Sequence, residues 1–152
     1  MTTREKMRII LCEAISPKIV AFDCTNESIL QGFRQSCETN FGAQGMGAFG
    51  LPTRVVLNLT KQCGLFAIRV PSTYATDAVA CVGLIIALSN RPITVRVLHI
   101  SGRMKNTITA TIDRAISWRN NLPQDYAIPR KSQLDTSLRE ILNSLSALPS
   151  YA

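Results

Sequence analysis

Between residues 7 and 100 the spacing of apolar residues changes in a set order, and that order restricts the fold more than any other property of the chain. Met7-Arg8-Ile9-Ile10-Leu11-Cys12-Glu13-Ala14 is an apolar run rich in branched residues, closed by Ser16-Pro17, and predicts a buried strand. From Asn26 the apolar positions recur as Ile29, Phe33, Cys37 and Phe41. That period predicts an amphipathic helix with Thr25 or Asn26 as N-cap and Gly42 as terminator. Gly42–Pro52 carries four glycines and predicts a loop lying close to another surface. Arg54–Thr60 and Gly64–Val70, separated by Lys61-Gln62-Cys63, read as a hairpin. Pro71-Ser72 stops the second of these strands and caps a helix over Thr73–Ser89. Its uncharged stretch AVACVGLIIAL implies burial on more than one side, by the chain or by a partner. Asn90-Arg91-Pro92 turns the chain into a last strand, Ile93–Ile100. The order βαββαβ is that of a ferredoxin-like or RRM-like α/β (α+β) sandwich with an antiparallel sheet. Both helices cover one face, leaving the other for a ligand, a nucleic acid or extra helices.

Beyond Ser101-Gly102, Met104–Asn121 reads as a helix with Ile108, Ile112, Ala115, Ile116 and Trp118 among basic residues. The chain thus divides into an α/β domain over residues 1–121 and a linker with a C-terminal amphipathic helix over 122–152. No apolar run reaches the roughly 18 residues that span a bilayer, and residues 1–8 lack a secretory signal. A soluble, intracellular protein with no membrane partner is the expectation.

The chemistry-bearing residues argue mainly by exclusion. Cys12, Cys24, Cys37, Cys63 and Cys81 are odd in number and show no C-x-x-C spacing, which speaks against a disulfide framework or a metal site. His99, the only histidine, lies within the apolar alternation of a strand, and a hydrolase would have to rest on it alone. No P-loop, G-x-S-x-G or H-E-x-x-H occurs. Protein-based catalysis therefore has little to stand on.

Charge is more informative. Lys and Arg number 17 against 10 Asp and Glu, and residues 91–139 hold nine basic against three acidic positions. Such an excess favours a polyanion, because each neutralised phosphate releases counterions; a basic face kept for solubility is the plainer alternative. Base stacking on sheet aromatics is not the mode. Strand one has no aromatic residue and CGLFAIRV has only Phe66. Phosphate and shape contacts from loops and the helix after the last strand fit better.

At this point the chain resembles the Pop-five/Rpp-fourteen family of protein subunits of ribonuclease P and ribonuclease MRP, over about residues 6–121. The resemblance is carried by RIILCE at 8–13, ILQGFR at 29–34, Phe41-Gly42, the hairpin VLNLTKQCGLFAIR at 56–69, and VLHISGRMK at 97–105. Cys63 and Arg103 stand where the family often has threonine. The resemblance implies a non-catalytic subunit of an RNA-based endonuclease that matures the 5′ end of precursor tRNA. It implies ribonuclease P or MRP RNA, precursor tRNA, a TIM-barrel-like Rpp subunit and other Pop and Rpp subunits as partners. No cofactor is implied on the protein, with Mg²⁺ at the RNA, and the place is the nucleus and nucleolus of a eukaryote. RNA contacts are assigned to Lys6, Arg8, Lys61, Arg69, Arg103, Lys105, Arg114 and Arg119. An internal salt bridge is the alternative for Arg69, and a solvent-facing helix edge for Arg114 and Arg119. Val79, Val82, Ile86 and the Gly42–Gly50 loop are assigned to protein partners, with core packing as the alternative. A small-molecule-binding regulatory module on the same fold, motivated by the glycine-rich loop and the apolar helix, is the competing function.

Overall fold

A strand without a polar face has to be covered on both sides, and the computed structural model, which describes residues 6–15, 24–120 and 143, covers it. Strand β1 (Met7–Ile15) lies inside a four-stranded antiparallel sheet. Helix α1 (Asn26–Gly45) follows, then a π-helical segment (Met46–Gly50), strand β2 (Arg54–Leu59), a helical turn α2 (Thr60–Cys63) and strand β3 (Leu65–Pro71). A 3₁₀ turn (Ser72–Tyr74) enters α3 (Ala75–Gly83), and a small hairpin, β4 (Ala87–Leu88) and β5 (Arg91–Pro92), leads to β6 (Thr94–Ser101) and α4 (Met104–Asn120). The strand order β2-β3-β1-β6 is that of the ferredoxin-like α+β fold. The linker and helix expected over 122–152 lie outside the described residues, apart from position 143.

The alternation of side chains sorts the sheet into two cores. Ile10, Cys12, Ala14, Phe66, Ile68 and Val70 meet Ile29, Phe33 and Cys37 of α1 and Ala78, Cys81 and Val82 of α3. Ile9, Leu11, Leu57, Leu59, Leu65 and Ala67 meet Met104 and Ala115 of α4 on the other face. The face that was expected to be open to a ligand, a nucleic acid or extra helices is thus taken by an extra helix. The buried stripe of α4 is Met104, Thr107, Thr111 and Ala115, while Ile116 is exposed. The two threonine hydroxyls are satisfied within the helix, donating to Arg103 O at 3.3 Å and Thr107 O at 2.7 Å.

The capping expectation holds at Thr25, whose Oγ1 accepts from Ser28 N at 3.2 Å. The turn between β2 and β3 requires Gly64, with φ of 75° and a position where a Cβ would stand 3.0 Å from Ala14 O. Two expectations need correction. Gly42, with φ of 69°, kinks the helix, but residues 42–50 are not a loop. They continue as helical and π-helical turns because Phe49 is buried beside Phe41 and Tyr74, at centroid distances of 5.6 and 5.5 Å. Arg34 Nε donates to Gly50 O at 3.1 Å and closes the segment against α1. The second correction is that α3 stops at Gly83 rather than Ser89. Ser89 and Asn90 take positive φ of 52° and 61°, the pattern of a type I′ turn, and fold the end of the apolar stretch into the β4–β5 hairpin.

Among the described residues one charged group is buried within the sheet. The carboxylate of Glu13 on β1 accepts from Arg114 Nε at 2.7 Å and Nη2 at 3.0 Å, and from Arg96 Nη2 at 2.8 Å. Burial acts to raise its pKa, but the two guanidinium groups, Arg114 first, outweigh it and hold the carboxyl below the usual glutamate range. Arg114 thereby ties α4 to the central strand. Because the folded-state value is depressed, this contribution is complete above the ordinary glutamate pKa of about 4.3 and is lost as pH falls through the depressed value. Glu13→Gln is expected to cost about 1–3 kcal/mol at neutral pH, discounted because both arginines keep contact with water. Urea unfolding of the two proteins at a series of pH values checks it: their stabilities should converge in acid.

Candidate nucleic-acid interface

The antiparallel pairing gathers basic residues that are far apart in sequence. Met7 pairs with Pro71 and Ile9 with Ser101, so the start of β1, the end of β3 and the end of β6 share one end of the sheet. Arg54 at the start of β2 pairs with Arg69, which pairs on its other side with Ile9. Ser72 N donates to Lys6 O at 2.8 Å and fastens the segment before β1 to the exit of β3. Lys6, Arg8, Arg69, Arg103 and Lys105 therefore converge there, and all but the half-buried Arg8 are exposed.

Local geometry holds this end in place. Ser101 Oγ accepts from Arg103 N at 3.0 Å and donates to Arg103 O at 3.1 Å, setting the turn from β6 into α4. Gly102 leaves room for Arg8, since a Cβ on it would stand 3.1 Å from the guanidinium Nη1. Arg8 Nη1 also donates to Met7 O at 3.2 Å. Among the described residues both ion pairs belong to Glu13, toward the opposite end of the sheet. The other described acids are Glu27 and Glu38 on α1, Asp77 on α3 and Asp113 well along α4. Among the described residues this end of the sheet is accordingly a set of cations without an acidic counter-charge.

Two of the residues assigned to RNA lie elsewhere, and a third is not described. Lys61 is exposed on the α2 turn beside Gly64, which pairs with Ala14 at the far end of β1. That is on the order of 20 Å away at about 3.3 Å per strand residue. Arg114 is occupied by Glu13 and serves the docking of α4. The side chains of Trp118 and Arg119 lie outside the described residues. Arg54 joins the cluster without having been expected. A one-residue slip in the β2–β3 register at Val56 sets it opposite Arg69, where unbroken pairing from the turn would set Val55.

The assignments to protein partners divide as well. Val82 is fully buried between α3 and the sheet, so its place among partner contacts is corrected: it is core. Val79 is half-buried against the same core. Ile86 is 83% exposed, near the exposed Leu84, because the chain leaves α3 there instead of continuing as a helix. In the segment 42–50, Gly45, Phe49 and Gly50 are buried, while residues 42–44 and 47 stay exposed. The two features that motivated a small-molecule module are therefore not present as read: the glycine-rich segment is helical and the apolar stretch is broken at Gly83.

The potential nucleophiles are not activated. All five cysteines are buried. Burial pushes the thiols of Cys12, Cys37 and Cys81 up, and that of Cys63 to about 12, so none of these four is a thiolate at neutral pH. His99 on β6 is half-buried opposite Leu11, with its Nδ1 buried and without a hydrogen-bond partner, so no carboxylate orients the ring from that side.

The chain matches the model of the Rpp14/Pop5 family of ribonuclease P proteins over residues 8–112, more than half its length. That span runs from β1 into α4 and contains most of the basic end of the sheet. No curated protein matches the chain at a significant level. Among solved structures, a chain in the cryo-EM structure of yeast ribonuclease MRP overlaps at a TM-score of 0.49 and 14% identity. The overlap covers 97% of this chain and 100% of that one. Membership rests on the family match, and by that match the chain belongs to the Rpp14/Pop5 family of ribonuclease P proteins.

Proposed function

We propose that the chain acts within its ribonucleoprotein as a non-catalytic holder of RNA, using the basic end of the sheet to neutralise backbone phosphates of the ribonuclease P or MRP RNA. The observation that carries this reading is the convergence of Lys6, Arg8, Arg69, Arg103 and Lys105 at one end of the sheet with no acidic partner there among the described residues. Cations gathered by a fold and left unneutralised gain most from a polyanion, through counterion release. The neutral thiols and the unoriented His99 support leaving bond cleavage to the RNA, with Mg²⁺ held there, during 5′ maturation of precursor tRNA. The nucleus and nucleolus are the compartments that follow for a eukaryotic particle.

A protein partner fits the exposed apolar corner at Leu84 and Ile86, where polar cover is missing and the hairpin holds the side chains out. In this reading that partner is the TIM-barrel-like Rpp subunit, alongside other Pop and Rpp subunits.

Purification of the tagged full chain from cells tests the central claim: the material should contain an RNA that cleaves precursor tRNA, and the isolated chain should not cleave it. Absence of such an RNA, or turnover by the RNA-free chain, overturns the reading. The double substitution Arg103→Gln/Lys105→Gln is expected to weaken binding of the particle's RNA and flatten its salt dependence by about one to two slope units, as filter binding over a salt series would show. Ile86→Asp, on an exposed side chain, is expected to change stability by no more than about 0.5 kcal/mol. It should retain RNA affinity and lose co-purifying protein subunits.

A further inference from the structure

The pairing of β2 with β3 sets two arginines directly opposite each other. Arg54 and Arg69 are register partners, both exposed, on the α4-facing side of the sheet, as the alternation through Leu65, Ala67 and Arg69 requires. Cross-strand partners hold their Cβ atoms about 4.5–5.5 Å apart, and like charges at such positions destabilise the pair. The neighbour on the other side of Arg69 is the buried Ile9, so no acid on β1 offsets the repulsion. Helix α4 packs over β1 and β6 and leaves these two side chains uncovered.

The two guanidinium groups are also held differently. Arg54 Nη1 donates to Leu51 O at 2.8 Å and Thr53 O at 3.0 Å, which anchors the side chain and leaves its Nε and Nη2 donors available. The Arg69 side chain makes no hydrogen bond or ion pair among the described residues. One arginine is thus fixed and the other free to close on whatever lies between them.

We infer that Arg54 and Arg69 together seat a single RNA backbone phosphate, an inference that rests on the RNA-holding role proposed above. One anion between the two groups removes the repulsion that the register creates, whereas two anions on their outer sides leave it in place. A phosphodiester offers two non-bridging oxygens, and guanidinium forks match such oxygens in planar, charge-assisted hydrogen bonds. The slip at Val56 that turns Arg54 to this side is what builds the seat.

The test is a double-mutant cycle with the full chain and an in vitro transcript of its own ribonuclease P RNA, followed over a salt series. A shared phosphate predicts that Arg54→Gln/Arg69→Gln lowers the slope of log K against log salt by about 0.9, the value for one phosphate. The affinity losses of the single variants should then sum to clearly more than the loss in the double variant. A slope loss of about 1.8, as for two phosphates, with additive losses overturns the shared seat. So does a double variant that binds like the parent chain. If the parent chain itself shows no salt-dependent binding, the RNA-holding reading falls together with the seat. Should the glutamine variants lose their circular-dichroism melt, Arg54→Lys and Arg69→Lys replace them. These keep the charge, so the slope should stay while affinity drops several-fold through the lost fork; unchanged affinity overturns the inference.

Discussion

The structure depends on a central strand that water reaches on neither face. Strand β1 alternates Ile10, Cys12 and Ala14 toward α1 and α3 with Ile9 and Leu11 toward α4, so both layers of helices are needed to cover it. Within that strand Glu13 places one carboxylate among apolar neighbours, and a buried carboxylate is costly unless paired. Arg96 from the adjacent strand and Arg114 from α4 supply the pair. The ion pair contributes less to net stability than the apolar cores do, but it restricts how α4 can lie on the sheet, since only one rotation of the helix brings Arg114 to Glu13.

That arrangement divides the basic residues into two groups with different work. At the Glu13 end, Arg96 and Arg114 are spent inside the molecule, on a carboxylate of the same chain, while Lys61 stays exposed. At the opposite end, where β1 begins and β3 and β6 finish, the cations face solvent with no acid among them in the described residues. The same net excess of charge is structural in one place and available to a polyanion in the other. Covering the second face of the sheet with α4 removes any platform for bases, so recognition through phosphates and shape is what the surface permits.

Much of the fold could be read from periodicity. The strands, the first helix with its cap at Thr25, the hairpin around Lys61-Gln62-Cys63 and the βαββαβ order each follow from local residue patterns, and the structure contains them. The end of α3 could not be read that way. AVACVGLIIAL has no polar break, and the chain leaves the helix because Ser89 and Asn90 adopt a hairpin turn and Leu88 enters the core. The glycines after Gly42 suggested an open loop, while the burial of Phe49 folds them into helical turns. In both cases a large side chain finding a place in the core outweighed the local preference.

Sequence by itself determined which residues are cations and which elements carry them, because charge and hydrophobic period are local properties. It also determined that the cysteines and the single histidine lack the spacing of a catalytic set. Only the tertiary structure decided which cations act together. Arg114 meets Glu13 across 101 positions, and Arg54 meets Arg69 only because the register slips by one residue at Val56. A one-residue slip exchanges the two faces of a strand without altering its composition or its alternation. The placement of a charge on one side of the sheet or the other is therefore settled by how the strands pair.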